Sequence, residues 1–192
     1  MSKNIMIVGV GGQGSLLASK LMGNILLREG FDVKVSEVHG MSQRGGSVVT
    51  YVKYGENVYS PVVDRGEADY IVAFERLEAA RWLGFLKPGG KIVMNTQGIL
   101  PMPVITGMAE YPDAIVDKMQ AAGTDVTAVD ALALATEAGS QKSVNIVLMG
   151  ILSTMMEFPE SLWLEELRKA VPPKFLELNE KAFQLGRASA KN

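Results

Sequence analysis

The sequence feature that most constrains the fold is a glycine-rich turn at residues 9–14, which reads GVGGQG. It follows an apolar run at residues 5–8, typical of a buried strand, and precedes a helical pattern at residues 15–27. A G-x-G-x-x-G sequence between a strand and a helix is the context in which this motif has meaning. The turn therefore predicts the first strand–turn–helix unit of an α/β fold.

The turn has a functional and a purely structural interpretation, and the sequence leaves both open. Gly9 would allow the tight turn, Gly11 would let a ligand approach the backbone, and Gly14 would let the helix pack closely on the strand. The helix N-terminus would offer N–H groups and a partial positive charge to a phosphate or carboxylate. Such turns also occur without any ligand. The signal for NAD is weak, because Asp32 precedes the second strand and Glu37 lies within a polar segment.

Predicted strands and helices alternate along most of the chain. We predict strands at residues 5–8, 31–35, 47–54, 58–61, 68–74, 91–95, 104–105 and 125–129. We predict helices at residues 15–27, 75–86, 114–122, 131–138 (capped by Asp130), 143 or 144 to 157, 162–170 and 174–190. The strands at 47–54 and 58–61 would form a hairpin. The pattern predicts an α/β fold in a single domain over residues 1–192: a three-layer, Rossmann-like, mostly parallel sheet with a hairpin insertion and a helical C-terminal third.

Composition excludes several classes of function. The chain has 192 residues, no Cys and one His, so it offers no thiolate nucleophile, no Cys-ligated iron–sulfur cluster and no His-rich metal site. A net charge of -2 argues against a nucleic-acid binder. The first residues do not resemble a signal peptide, and the longest apolar run, residues 146–156, is too short to span a bilayer. We therefore predict a cytoplasmic protein that binds neither nucleic acid nor a membrane.

A polar segment at residues 36–47 lies beyond the carboxyl end of the second predicted strand, where open α/β sheets bind ligands. Arg44 could offer a planar fork to a phosphate or carboxylate, or it could pair with Glu37 as a structural contact. A single histidine is more often a hydrogen-bonding residue than a catalyst. The candidate binding residues of the turn and the segment are Gly9, Gly11, Gly12, Gln13, Gly14, Ser36, Glu37, His39, Gly40, Gln43, Arg44, Gly45 and Gly46.

The glycine turn and the polar segment are predicted to line one anion pocket. Both follow strands that we expect to be parallel neighbours, so their loops should meet at one edge of the sheet. In that pocket the guanidinium of Arg44 and the N–H groups of Gly11 and Gly12 would converge on one negatively charged group.

Other familiar chemistries lack their residues in this sequence. There is no nucleophile elbow for a serine hydrolase, no ligand set for zinc, and no Gly-Lys-Ser/Thr for a phosphate-binding P-loop. The carboxylate pairs Glu75 and Glu78, and Glu165 and Glu166, are expected on solvated helix faces.

Two motif blocks resemble a known family. They are GVGGQG at residues 9–14 and EVHGMSQRGGSV at residues 37–48, and the likeness extends to AFE at 73–75, LKPGG at 86–90, NTQ at 95–97, NIVLMG at 145–150 and LNEKAF at 178–183. The chain resembles the gamma-type subunit of 2-oxoacid:ferredoxin oxidoreductases. The His-Gly-Met-Ser-Gln-Arg-Gly-Gly block is most similar to the branch of indolepyruvate ferredoxin oxidoreductase small (beta) subunits. Through this likeness Asn145 joins the binding candidates.

The resemblance implies a role within a larger enzyme. In that family a 2-oxoacid is decarboxylated on thiamine diphosphate, electrons pass through iron–sulfur clusters to ferredoxin, and coenzyme A takes the acyl group. This chain has no thiamine motif and no cysteine, so the resemblance implies that these cofactors lie on a large partner subunit. The small subunit would complete the complex and supply part of the coenzyme A or substrate surface. The alternatives from other classes are a free-standing Rossmann-type dehydrogenase and a binding module.

A subunit isolated from its partner should expose an apolar face and self-associate, for example as a homodimer. Two stretches are candidates for that face: the Met-rich helix with Met149, Met155 and Met156, and the loop at residues 99–108. For the methionines, ordinary core filling is the alternative.

Overall fold

The computed structural model describes residues 2–39 and 46–190, with His39 as backbone only. In this part of the chain the strands are β1 (Lys3–Val10), β2 (Asp32–His39), β3 (Ser47–Gly55), β4 (Ala68–Ala73), β5 (Leu86–Asn95) and β6 (Asp125–Val129). The helices are α1 (Ser15–Arg28), α2 (Arg76–Trp82), α3 (Met102–Ile105), α4 (Ile115–Ala121), α5 (Ala131–Ala138), α6 (Val144–Ser153), α7 (Glu160–Ala170) and α8 (Leu176–Ser189). No helix among these residues combines the length and the apolar character needed to cross a bilayer.

All six strands form one sheet in the order β2-β3-β1-β4-β5-β6. β1, β4, β5 and β6 are parallel, and β3 is antiparallel to both of its neighbours, β1 and β2. The predicted α/β fold, with its mostly parallel sheet, is confirmed. Four helices, α5 to α8, account for most of the C-terminal third, as the sequence pattern indicated.

The hairpin has different strands from those predicted. β3 pairs with β2 rather than with residues 58–61, which are not in a strand. The reason is that β1 and β2 already satisfy both edges of β3, so residues 58–61 have no free edge to join. In addition, Asp32 Oδ2 accepts a hydrogen bond from the Val58 N–H at 2.8 Å, which fixes the start of this segment to the first residue of β2.

Successive side chains of a strand point to opposite faces of the sheet, and a layer of helices packs on each face. In β1, Ile5 and Ile7 face the core beneath α1 and α5 to α8, whereas Met6 and Val8 face the core beneath α2 and α4. The predicted three-layer arrangement follows from this alternation, and the larger core lies on the side of the C-terminal helices.

The helix α6 is buried along its whole length. Met149 is part of the main core, as is Met156 just beyond the helix, and Met155 packs against that core. The predicted partner face is therefore wrong for these methionines, and the alternative of core filling is correct. The helix ends at Ser153, four residues earlier than predicted, because the hydroxyls of Ser153 and Thr154 donate to carbonyls three residues back.

The loop at residues 99–108 is the other candidate for a partner face, and it does expose apolar side chains. Leu100, Met102, Ile105 and Met108 are each more than half exposed. The expected strand at residues 104–105 is instead the short helix α3, because Pro101 and Pro103 favour the first turn of a helix.

Two glycines allow α6 and α8 to cross at backbone contact. A Cβ atom at Gly150 would lie 2.2 Å from the Phe183 carbonyl oxygen, and one at Gly186 would lie 2.1 Å from the Val147 carbonyl oxygen. Each helix thus presents a glycine to the backbone of the other, and no side chain fits at either position.

We expect Gly186→Ala to lower the free energy of unfolding by at least about 2 kcal/mol, because the new methyl group must push the helices apart. Urea unfolding followed by circular dichroism measures this change. Gly23→Ala in α1 is the matched control, since its Cβ would meet Val35 at an ordinary 3.8 Å. That variant should be unchanged or more stable by up to about 1 kcal/mol. Equal stability of Gly186→Ala and wild type would contradict the close crossing.

Candidate functional site

A cleft of about 580 Å³ lies at the carboxyl edge of the parallel strands. Its walls come from the glycine turn after β1, the loop after β5, the first turn of α5 and the segment that leads into α6. The lining residues are Gly12, Gln13, Gly14, Gln97, Ile99, Leu132, Gln141, Lys142 and Val144. Open α/β sheets bind ligands at this edge, so the cleft is the candidate site.

A hydrogen-bond network around the Phe74 carbonyl holds the walls of the cleft together. Phe74 follows β4, and its carbonyl oxygen accepts from Gln13 Nε2 at 3.1 Å and from Asn95 Nδ2 at 3.3 Å. Gln13 Oε1 accepts from the Val10 N–H at 2.7 Å, which closes the glycine turn. Asn95 Oδ1 accepts from the Ala131 N–H at 3.1 Å and so fixes the start of α5. The cleft is therefore held in shape by contacts within the protein.

The N-termini of α1 and α6 meet at one side of the cleft. Gly14 precedes α1 with φ of 89°, and its carbonyl oxygen accepts a hydrogen bond from Asn145 Nδ2 at 3.2 Å. A Cβ atom at Gly14 would lie 2.7 Å from that same nitrogen. Gly14 is therefore required for contact with α6, in addition to the helix–strand packing expected from the motif.

The local electrostatics of this corner favour an anion. α1 has no side-chain cap at its N-terminus, so its first N–H groups are free. α6 adds its partial positive charge at the same corner, although its Ile146 N–H already donates to Asn145 Oδ1 at 2.9 Å. Lys142 is exposed on the lining and forms no ion pair within residues 2–39 and 46–190. Gly12, with φ of 95° and open space beside it, leaves room for a ligand at the backbone. A phosphate or carboxylate fits these features.

The predicted relation between the turn and the polar segment is wrong in one respect. β1 and β2 are not neighbours, because β3 lies between them. The two segments nevertheless meet, since the Gly11 N–H donates to the Gly46 carbonyl at 3.0 Å. Gly40, Gln43, Arg44 and Gly45 lie outside the described residues, and the predicted pocket shared by Gly11, Gly12 and Arg44 stays a prediction.

Ser36, Glu37 and Ser47 of the polar segment are not among the residues that line the cleft. Ser36 is opposite Tyr51, and His39 ends β2 opposite Val48. Glu37 Oε2 accepts from Ser15 Oγ at 3.4 Å and from Thr50 Oγ1 at 3.2 Å. Glu37 is thus in contact with the first residue of α1, on the side of the sheet that carries the polar segment.

Gly9 has no room for a side chain, because two other side chains of the protein approach its backbone closely. A Cβ atom there would lie 2.8 Å from Gln13 Oε1 and 3.0 Å from Phe74 Cβ. The lack of a side chain lets the Gln13 amide reach back to the strand and across to Phe74.

Three of the four glutamates expected on solvated helix faces are buried, namely Glu75, Glu78 and Glu166. Only Glu165 of the four is exposed. Each buried carboxylate has a partner distant in sequence: Glu78 accepts from Ser47 Oγ, and Glu166 pairs with Arg28. Glu166 also pairs with Lys169, one turn further along α7. The Lys169 ammonium, followed by the Arg28 guanidinium, holds the pKa of Glu166 below its usual range.

Glu75, at 1% exposure, anchors the loop that forms one wall of the cleft. Its Oε2 accepts from the Glu78 N–H at 2.9 Å and caps α2, and its Oε1 accepts from the Ile99 N–H at 3.0 Å and from the Tyr111 hydroxyl. Burial, followed by the hydrogen bond to Glu75, raises the pKa of Tyr111 to about 12, so this hydroxyl remains a donor. The two ends of the apolar loop are thereby fixed to one carboxylate.

Sequence reasoning did not select Asn95, Gln97, Lys142 or Glu75 as site residues. Asn95 and Gln97 carried a signal, because they directly follow an apolar strand at the carboxyl edge. Lys142 gave no such signal beyond its position just before a mostly apolar helix. No cluster of three or more His, Cys, Asp or Glu suited to a metal ion occurs in the described part of the chain.

Comparisons with known proteins agree with this fold. The family model for pyruvate ferredoxin/flavodoxin oxidoreductase matches residues 4–189. Indolepyruvate oxidoreductase subunit IorB of Thermococcus kodakarensis is 46% identical over 98% of this chain and 96% of that protein. The keto/oxoacid ferredoxin oxidoreductase gamma subunit of Geobacter sulfurreducens superposes with a TM-score of 0.73, at 23% identity over 98% of each chain. A 2-oxoglutarate:ferredoxin oxidoreductase of Magnetococcus marinus gives a TM-score of 0.74 at 22% identity, over 99% of this chain and 31% of that one.

The chain belongs to the pyruvate ferredoxin/flavodoxin oxidoreductase family. Within it, the predicted resemblance to gamma-type subunits of oxoacid:ferredoxin oxidoreductases is confirmed. The relatives are subunits of multisubunit enzymes, which agrees with the predicted role as an accessory subunit and not with a free-standing dehydrogenase.

We expect Glu75→Gln to lower the free energy of unfolding by about 1–3 kcal/mol. A carboxylate accepts with both oxygens, whereas the amide NH₂ of glutamine would face N–H and O–H donors. Urea unfolding gives the stability, and hydrogen exchange of residues 96–112 should rise in the variant because the loop loses its anchor.

Glu165→Gln is the matched control for this change, since Glu165 is exposed on α7 and its removal should alter stability by no more than about 0.5 kcal/mol. If hydrogen exchange of residues 96–112 is the same in Glu75→Gln as in wild type, Glu75 does not anchor the loop.

Proposed function

We propose that this chain is the small, accessory subunit of an aryl-pyruvate:ferredoxin oxidoreductase whose substrate is indolepyruvate. The enzyme would decarboxylate the oxoacid oxidatively, pass the electrons to ferredoxin and transfer the acyl group to coenzyme A. The observation that carries this proposal is the 46% identity, over almost the whole of both chains, with a protein named as an indolepyruvate oxidoreductase subunit.

The residues present indicate which subunit holds which cofactor. Thiamine diphosphate and iron–sulfur clusters belong, in this proposal, to a larger partner subunit, because this chain has no cysteine to ligate a cluster. This chain acts as one gamma-type domain over residues 1–192, in the cytoplasm, and reaches ferredoxin through the complex. Its own contribution to the reaction is binding and orientation.

The cleft is the proposed contact with an anionic group of coenzyme A or of the oxoacid. The N-terminus of α1 supplies N–H donors, the start of α6 adds its partial positive charge, and Lys142 supplies a positive charge on the same lining. Asn145 holds the two helix ends together through Gly14. In our proposal, residues of the polar segment also contribute to anion binding at this edge, including His39, Gln43 and Arg44.

The exposed apolar loop is the proposed contact with the larger subunit. Leu100, Met102, Ile105 and Met108 are exposed, while Glu75 and Tyr111 hold the base of the loop in place. Exposed apolar patches mark interaction sites, and a fixed loop loses little entropy when a partner covers it. Without its partner the subunit would use the same patch to form a homodimer.

The purified chain alone should not oxidise indolepyruvate, and activity should appear when its large subunit is added. Reduction of an artificial electron acceptor, with coenzyme A and thiamine diphosphate present, measures the rate. The large subunit alone is one control. Substantial turnover by the small chain on its own would refute the accessory role.

Loop variants extend this test to the assembly of the complex. Ile105→Asp should weaken co-elution with the large subunit, because it places a charge in the apolar patch, whereas Tyr59→Asp, at an exposed residue outside the loop, should not. Equal assembly of both variants would exclude the loop as the contact.

Lys142→Ala should raise the KM for coenzyme A or the oxoacid about three- to tenfold in the assembled enzyme, with a smaller effect on kcat. The loss should diminish at high salt, because an exposed charge is screened. Lys118→Ala on α4, on the opposite face of the sheet, is the matched control. A KM that does not change for either ligand would remove Lys142 from the binding site.

A further inference from the structure

A second cavity, of about 160 Å³, lies at the opposite edge of the sheet from the cleft. It opens beside the first residue of β1 and the last residues of β3. Its walls are four aromatic rings and two methionines, with one residue of each charge: Phe31, Tyr54, Tyr70, Phe158, Met155, Met156, Lys3 and Glu157.

The aromatic walls are fixed by contacts among themselves. The ring centroids of Phe31 and Tyr54 lie 5.3 Å apart in an edge-to-face arrangement, and those of Phe31 and Phe158 lie 6.3 Å apart. The Tyr70 hydroxyl donates to the Met155 carbonyl at 3.0 Å and so holds the segment after α6 against the sheet. The cavity is preformed, which lowers the entropic cost of filling it.

Tyr54 brings an unpartnered hydroxyl to this cavity. The residue is only 4% exposed, yet its hydroxyl forms no hydrogen bond with any other part of residues 2–39 and 46–190, in contrast to that of Tyr70. The hydroxyl oxygen is not among the fully buried polar atoms of the described residues, so it is accessible from the cavity and free to bond a ligand atom. Burial raises the pKa of Tyr54, so the group stays protonated and can both donate and accept.

Two residues of opposite charge also line this cavity. Lys3 and Glu157 are exposed and line the same small cavity, and neither forms an ion pair within the described residues. An ammonium and a carboxylate at the mouth of an aromatic cavity are complementary to the carboxylate and ammonium of a free amino acid. A cavity of about 150 Å³ is large enough to hold a benzene ring.

We propose that this cavity binds a free aromatic amino acid. The ring packs in the cavity against Phe31, Tyr54 and Phe158, and the Tyr54 hydroxyl bonds a polar atom of the ring, such as an indole N–H or a phenol O–H. The amino acid carboxylate faces Lys3 and its ammonium faces Glu157. The site is separate from the cleft and is independent of the function proposed for it.

The test is titration of the 192-residue chain with L-tryptophan and L-tyrosine, followed by ligand-observed NMR or calorimetry. Saturable binding below about 1 mM is expected, with L-leucine binding at least tenfold more weakly because it lacks the ring and its polar atom. Absence of saturable binding of both aromatic amino acids, or equal binding of leucine, overturns the proposal.

Variants locate the binding. Tyr54→Phe keeps the ring and loses the hydroxyl, so the affinity should fall about three- to tenfold, whereas Tyr59→Phe, at a tyrosine that is 95% exposed, should change nothing. Binding that is insensitive to Tyr54→Phe places the ligand elsewhere and overturns the site.

The surface variants Lys3→Gln and Glu157→Gln test the charge pattern without touching the core. Each should weaken L-tryptophan about two- to fivefold and leave indole, which has no zwitterion, unaffected. If both variants bind L-tryptophan as wild type does, the charges do not recognise it and the assignment to an amino acid fails.

Discussion

The arrangement of the candidate site depends on one backbone carbonyl, that of Phe74. It follows a central strand of the sheet and accepts hydrogen bonds from side chains that come from both sides, Gln13 and Asn95. Gln13 also accepts from the Val10 N–H in the glycine turn, and Asn95 also accepts from the Ala131 N–H at the start of α5. Three loops that are far apart in sequence therefore share one acceptor, and the cleft has its shape before any ligand arrives. A cleft preorganised in this way needs little rearrangement when an anion binds.

The glycine motif supports a packing role and a binding role at different positions. Gly9 and Gly14 have no side chain because protein atoms occupy the space, Gln13 and Phe74 in one case and Asn145 in the other. Gly12 has open space beside it and a φ that L-residues rarely adopt, which is what a backbone approached by a ligand requires. The two interpretations of the sequence motif were therefore not exclusive.

The sequence was informative where local pattern decides the structure, and uninformative where distant partners decide it. The strand, turn and helix of residues 3–28 follow from apolar runs and glycines, and Asp130 caps α5 as expected. The position of β3 between β1 and β2 depends on pairing, which no local pattern encodes. Glu75 resembles any helix glutamate in sequence, but its burial results from Ile99 and Tyr111, which lie 24 and 36 residues further along the chain. Lys142 is a site residue only because α6 begins beside α1.

The reciprocal glycines of α6 and α8 have a consequence for how the protein is made. All ten residues of α6 are buried and most are apolar, and α8, which covers this helix, follows more than twenty residues later. During synthesis on the ribosome, α6 therefore emerges before the backbone surface that fits it. In this interval the nascent chain carries an uncovered apolar helix, the kind of surface that chaperones bind and that promotes aggregation. α8 can dock on α6 only after Gly186 has been synthesised, so the main core cannot form while the chain is still incomplete.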